Sequence, residues 1–278
     1  MSRDSSGLAR VRAAFEAAAA AGRPAFIAYV LAGHRTEGES LAVAAAALAA
    51  GADILEIGVP FSDPLADGPT IADASRAAAA AGMGLASALR LAASLRDQGF
   101  TQPLLAMSYR NPVLAVGPGA PRTMVAAGFD GAIVPDLPAG EDLAFERSSR
   151  QAGLALCFLV GPNSDDARVR TVARASTGFV YVVPRYGVTG ARQDLGAGAV
   201  DLVGRVRRIV DGRAPVAAGF GISAPEHVVA LAPVADGVVV GSLLVAAVTH
   251  AGPGEAPLRV GDEVRRLAST DSYAKVGA

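Results

Sequence analysis

From residue 25 to residue 240 the chain alternates short apolar runs with stretches rich in alanine, arginine and glutamate. The apolar runs predict buried strands near Ala25–Leu31, Asp53–Gly58, Leu104–Met107, Gly131–Val134, Leu154–Val160, Phe179–Val183, Val216–Ala218 and Gly237–Val240. Helical patterns fall between them, near Glu37–Ala50, Leu85–Gln98, Pro121–Ala127, Glu141–Gln151, Ser164–Ala175, Ala199–Val210 and Ala224–Leu231. Asn163-Ser-Asp-Asp166 and Ser223-Ala-Pro-Glu226 supply helix-start signals. Eight strands alternating with helices, with no linker rich in Gly, Ser or Pro, fit an α/β fold of one parallel (β/α)8 TIM barrel. An extra N-terminal helix near Leu8–Ala20 is expected to plug the barrel bottom. One domain is therefore expected over 1–278: a helical region to residue 24, the barrel over 25–268, and a flexible tail over 269–278. A doubly wound open sheet would carry a glycine-rich phosphate fingerprint after its first strand; Leu31-Ala-Gly-His-Arg-Thr36 has one glycine and no such fingerprint.

Residue usage narrows the chemistry. The chain has no tryptophan and is 51% hydrophobic, so its core must be alanine, valine and leucine packing. Acids and bases are dispersed at a net charge of −1, which points to neither a nucleic-acid surface nor a polybasic membrane surface. No apolar run approaches the ~20 residues that span a bilayer. The opening residues lack a leader's apolar core and cleavage site, and Cys157, the only cysteine, permits no internal disulfide; a cytoplasmic location is expected. Cys157 lies in an apolar run and reads as a buried structural thiol. Lys275, the only lysine, sits near the C-terminus, and His34, His227 and His250 are widely spaced. Schiff-base catalysis and a metal site are thereby disfavoured, leaving carboxylates and hydroxyls to do the work.

Residues 53–70, Asp-Ile-Leu-Glu-Ile-Gly-Val-Pro-Phe-Ser-Asp-Pro-Leu-Ala-Asp-Gly-Pro-Thr, hold the densest chemistry. Glu56 interrupts an apolar strand, and a buried carboxylate needs either backbone partners or a catalytic task. The following loop carries Asp63 and Asp67 and is stiffened by Pro60, Pro64 and Pro69. Two carboxylates in unlike surroundings are how an enzyme separates an acid from a base. In a barrel, phosphate commonly sits beyond strands seven and eight. Gly219-Phe-Gly-Ile-Ser223 and Gly241-Ser-Leu-Leu244 occupy those places, each joining glycines to a helix start that favours an anion. The glycine-containing segment from Pro184 to Ala199 has the composition of a lid.

With these pieces placed, the chain resembles the α subunit of tryptophan synthase, over about Phe26 to Val248. The resemblance rests on Glu56–Ile71, Tyr109-Arg-Asn-Pro112, Pro135-Asp-Leu-Pro138, Gly178-Phe-Val-Tyr181, Gly187-Val-Thr-Gly-Ala-Arg192, Gly219–Ser223 and Val240-Gly-Ser242. It implies a carbon–carbon lyase that splits indole-3-glycerol phosphate into indole and glyceraldehyde 3-phosphate in tryptophan biosynthesis. It implies Glu56 as the acid/base, Asp67 as the acceptor of the indole N–H, and Tyr181 within reach of the acid/base. Tyr29, Tyr109 and Phe220 match positions around the indole, and Thr189 matches the lid hydroxyl that bonds Asp67. Gly190, Gly219, Gly221, Gly241 and Ser242 match the phosphate cradle. No cofactor is implied for this chain; pyridoxal phosphate is expected only in a partner β subunit, with Asp63 and Pro64 against it in an αββα-type complex. A free-standing indole-releasing lyase and a weakly catalytic allosteric subunit are the alternatives. The chain departs from the resembled pattern at Leu31, His34 and Pro184, and its third helix is broken by Pro118, Gly119 and Pro121. These changes bear on coupling to a partner rather than on the carboxylate pair.

Overall fold

The computed structural model describes residues 6–183, 198–219 and 221–268. Eight strands close into a parallel barrel in chain order. They are β1 (Ala25–Leu31), β2 (Ile54–Gly58), β3 (Leu104–Met107), β4 (Gly131–Ile133), β5 (Ala155–Val160), β6 (Val180–Val182), β7 (Val216–Gly219) and β8 (Gly237–Val240). β1 pairs with β2 on one side and with β8 on the other, so that Ile27 lies beside both Ile54 and Val239. Every strand matches the sequence expectation to within one residue at either end.

Side chains alternate in and out along each strand. Ile27, Ile54, Leu105, Ile133, Cys157 and Ala217 fill the barrel, while Phe26, Leu55, Ile57, Leu104 and Val216 face the helices. Those helices are α1 (Gly7–Ala20), α2 (Glu37–Ala49), α3 (Pro69–Ala80), α4 (Leu85–Asp97), α5 (Arg110–Val116) and α6 (Ala120–Ala126). They continue as α7 (Leu143–Ala152), α8 (Asp166–Ala175), α9 (Ala199–Val210), α10 (Pro225–Leu231), α11 (Ser242–Thr249) and α12 (Ala256–Ala268). Among the described residues no single helix is long and apolar enough to cross a membrane.

α1 closes the bottom of the barrel as expected. Its Val11, Phe15 and Ala18 join the interior cluster, and the Phe15 ring meets Phe179 at 5.6 Å. A second tie lies alongside. Asp130 is fully buried and accepts from the Leu104 N–H (2.9 Å), from Arg96 Nη2 (2.6 Å) and from Arg10 Nε (2.6 Å). A carboxylate taken out of water is tolerable only with such a complete set of donors.

Three helices escape the sequence reading, α3, α5 and α12, and α11 was read only by its start at Gly241-Ser242. The buried face of α3 is Ile71, Ala72, Ser75 and Ala78, too small and too polar to show a helical period. Its Pro69 looks like a loop stiffener but occupies the first helical turn, where a missing N–H costs nothing. One start signal shifts: Ala224, not Ser223, is the N-cap of α10, followed by Pro225. Asp165 caps α8 by accepting from the Arg168 N–H at 2.7 Å. The third crossover is broken as anticipated, with Gly117 at φ 82° between α5 and α6.

Candidate active site

Because β2 alternates, Ile54, Glu56 and Gly58 point into the barrel near its C-terminal mouth. Glu56 is 1% exposed and lies in register between Tyr29 and Leu105. A Cβ at Gly58 would overlap the Tyr29 hydroxyl, so the glycine lets that ring lie across β2. Beyond Gly58 the chain runs as a loop to Gly68, the N-cap of α3. Ser75 holds the near end of this loop. Its hydroxyl accepts from the Phe61 N–H at 3.0 Å and donates to the Phe61 carbonyl at 3.1 Å. Tyr109, just after β3, holds the far end. Its ring stacks on Phe61 at 5.2 Å; its hydroxyl accepts from the Ala66 N–H (2.9 Å) and donates to Asp67 Oδ2 (3.1 Å).

The two carboxyls are thereby set apart. Burial, reinforced by the Asp67 charge, pushes Glu56 up to about 8. Asp67 is raised to about 6 by burial, against the lowering effect of the Tyr109 hydrogen bond. At neutral pH one is mainly a neutral acid and the other mainly an anion. Glu56 Oε2 is buried with no hydrogen-bond partner among the described residues. A polar atom left so is costly unless a ligand supplies its partner. The phenols of Tyr29 and Tyr181 are both driven up, by burial first and then by these carboxylates.

Glu56, Asp67, Tyr29 and Tyr181 line one end of an open cavity, which Met107 and Val239 also line. The other end is built from Gly221, Ile222, Ser223, Gly241 and Ser242. Gly221 has φ +84°, a left-handed conformation that favours glycine. Gly241 is the N-cap of α11 and offers no side-chain cap, which leaves the first-turn N–H groups of that helix for an anion. A Cβ at Gly241 would stand 3.3 Å from Ile71 and 3.5 Å from Tyr29. The cavity thus has an apolar end with proton-transfer groups and an end that suits a phosphate.

The structure sorts the expected residues. Glu56, Asp67, Tyr29, Tyr181, Gly221, Gly241 and Ser242 meet around this cavity. Tyr109 stands behind Asp67 rather than on the cavity wall. Gly219 also lies off the wall; a Cβ there would overlap the Tyr181 ring, so its glycine makes room for that ring. Thr189, Gly190, Phe220, Pro184 and Lys275 lie outside the described residues, as does the tail. Asp63 is exposed and Pro64 buried. Sequence reasoning missed Ser75, Ile71, Met107 and Val239 as site-builders, while Ser223 falls in the expected phosphate segment. Met107 and Val239 were legible as strand-end positions of the inward set; Ser75 carries no signal within its alanine-rich helix. Among the described residues no cluster of His, Cys, Asp or Glu is placed to hold a metal ion. Cys157 is buried, its thiol pushed up to about 12 by burial. His34 is buried 3.2 Å from Thr249 Oγ1, and burial together with Arg35 drives it down to about 4, so it is neutral.

Comparison with known proteins bears on this arrangement. The family model described as Tryptophan synthase alpha chain matches residues 15–268. A tryptophan synthase alpha chain from Roseiflexus sp. (strain RS-1) is 41% identical over 261 residues, covering 94% of this chain and 99% of that one. The Deinococcus radiodurans alpha chain is 44% identical over 243 residues, 87% and 89% of the two chains. Among solved structures, Mycobacterium tuberculosis tryptophan synthase superposes with a TM-score of 0.85 at 38% identity, covering 93% of this chain and 96% of that one. A mutant Pyrococcus furiosus tryptophan synthase alpha-subunit does so at 0.81 and 35%, covering 88% and 97%.

Proposed function

This chain belongs to the tryptophan synthase alpha chain family, a lyase family that cleaves indole-3-glycerol phosphate to indole and glyceraldehyde 3-phosphate, and we propose that Glu56 and Asp67 perform that cleavage here. One observation carries the assignment. Glu56 is a buried carboxyl raised to about 8, with one oxygen unpartnered, on the wall of a cavity whose far end suits phosphate. Protonated at neutral pH, Glu56 delivers its proton to indole C3, and the ring becomes an indolenine whose nitrogen carries positive charge. Asp67, mainly ionised, accepts the ring N–H and stabilises that charge. Glu56, now a carboxylate, takes the proton of the side-chain hydroxyl next to the ring. A carbonyl forms there, the C–C bond breaks, and its electron pair returns to the ring as indole. Glu56 ends in the protonation state in which it began. Tyr181 and Tyr29 flank the acid and the ring, and Tyr109 keeps Asp67 in place. Thr189 is assigned to bond Asp67 from the lid, and Gly190 and Phe220 to complete the phosphate and indole contacts.

The reading assigns no cofactor to this chain and places its work in the cytoplasm. It also includes a β-subunit partner, which holds the pyridoxal phosphate. What supports docking is the rim of the barrel mouth. Three successive connections expose large apolar side chains there: Leu65 (78%) after β2, Leu114 and Val116 after β3, and Leu143 after β4. Asp63 stands exposed beside Leu65, whereas Pro64 is turned inward. Such a run of exposed apolar groups fits a protein interface. Leu31 and the neutral His34 are packed inward on β1 and its following turn, and they replace polar groups in the resembled pattern. Smaller activation by the partner is therefore expected. Following indole-3-glycerol phosphate cleavage while titrating a β subunit tests both parts. Binding with a rise in turnover supports them; efficient cleavage alone with no binding at micromolar concentrations favours the free-standing lyase.

A further inference from the structure

The phosphate end of the cavity is held by two residues that do not line it. After Gly219 the chain leaves the sheet, and Gly221, Ile222 and Ser223 cross the cavity wall before α10 begins. Both backbone polar groups of Ser223 are engaged by helices behind it. Its N–H donates to His227 Nδ1 at 3.2 Å, from α10. Its carbonyl accepts from Arg266 Nη2 at 3.2 Å, from α12. His227 is 6% exposed, and only the tautomer with a bare Nδ1 can accept this bond. Arg266 is itself fixed by Glu263, at 2.9 Å from Nε and 2.6 Å from Nη2. An anion at this end must meet the 221–223 segment and the α11 N-terminus together, so its affinity depends on their separation. Small displacements of such donors weaken charge-assisted hydrogen bonds, which are geometrically demanding.

We propose that His227 and Arg266 are positioning residues for the phosphate-binding loop, setting affinity for the phosphorylated substrate without touching it. The proposal rests on the reading of Gly221–Ser223 and Gly241–Ser242 as the phosphate end. The chemistry at Glu56 and Asp67 lies at the other end of the cavity, so KM and kcat separate.

The test measures kcat and KM for indole-3-glycerol phosphate, and the Kd of inorganic phosphate, in the full chain. His227→Leu is expected to raise KM and the phosphate Kd by roughly 5- to 10-fold, the loss of about one hydrogen bond, with kcat within about 3-fold. His227→Asn retains an acceptor near the same place and is expected to recover most of the affinity. Arg266→Met is expected to weaken phosphate by a similar factor. The double variant His227→Leu, Arg266→Met is expected to lose less than the product of the two, because both hold Ser223. Ser242→Asp, which repels phosphate directly, runs beside them as the control. Weakened binding in Ser242→Asp with no change in His227→Leu and Arg266→Met overturns the positioning role alone. Unchanged binding in Ser242→Asp overturns the phosphate end, and the positioning role with it. A His227→Asn variant as impaired as His227→Leu, or a fall in kcat with KM unchanged, also refutes the proposal.

Discussion

Replacing Glu56 with glutamine separates the two consequences of burying this carboxyl. The amide keeps the shape and is uncharged at every pH, so it loses proton transfer but also the liability of ionising inside a barrel. The folded chain holds the Glu56 proton up to about pH 8, whereas an unfolded chain releases it near 4.5. Over that window the native state binds more protons than the unfolded state, so wild-type stability falls as pH rises. At about 1.4 kcal/mol per pH unit, the loss is about 3 kcal/mol by pH 7 and on the order of 5 kcal/mol by pH 9. The glutamine variant has no such loss. Its stability relative to wild type is therefore expected to climb by that amount between pH 4.5 and pH 9, while turnover falls ~10²-fold or more throughout. Urea unfolding followed by far-UV circular dichroism at a series of pH values reads the first effect, and indole release reads the second. Asp67→Asn removes the neighbouring charge that helps raise Glu56, so in that background the divergence should shrink. Parallel stability profiles for wild type and Glu56→Gln would refute the reasoning, as would near-normal turnover in the variant.

Tyr109→Phe keeps the stack on Phe61 but deletes the bond that holds Asp67 down; the acidic limb of kcat/KM is expected to move to higher pH, visible in a pH–rate profile. Gly219→Ala places a methyl into the Tyr181 ring, so it is expected to cost about 1–3 kcal/mol of stability and to lower turnover, as judged by thermal unfolding and indole release. Gly241→Val extends a side chain toward Ile71 and Tyr29 at the α11 N-terminus and is expected to weaken glycerol phosphate binding by calorimetry while leaving the fold intact. Activity is expected to survive EDTA, and borohydride with substrate to trap no adduct.

The barrel was legible because its strands are short β-branched and leucine runs separated by alanine-rich segments of helical length. Even Glu56 advertised itself, as the one charge in an apolar strand. What the sequence hid follows from the size of the side chains involved. α3 packs alanine and serine where a helix normally shows leucine, so its period vanishes and Pro69 reads as a loop residue. α12 has a clear stripe of Val260, Val264 and Leu267, but it lies beyond the last strand, where the alternation that organises the reading has ended. Within the site, the resemblance put Tyr109 at the indole and Gly219 in the phosphate cradle, whereas both lie off the cavity wall. Tyr109 works through Asp67, and Gly219 works by the side chain it lacks, and neither relation is visible without three-dimensional neighbours. Ser75 and His227 are similar cases: each hydrogen-bonds backbone of the loop that leads into its own helix.

The pairing of β1 with β8 has a consequence for how the molecule comes into being on the ribosome. β1 finds one neighbour, β2, soon after it is made, but its other neighbour is the last strand of the barrel, about 200 residues later. At ~5–20 residues per second, that edge waits roughly 10–40 s for its partner. Throughout that interval Phe26, Ile27 and Val30 stand on an open strand edge, the kind of surface that recruits other chains. α1 precedes β1 and is already made, so its Val11, Phe15 and Ala18 are available to cover the inward side of that strand before the ring is complete. The helix that closes the finished barrel is thus also placed to shield the unfinished one.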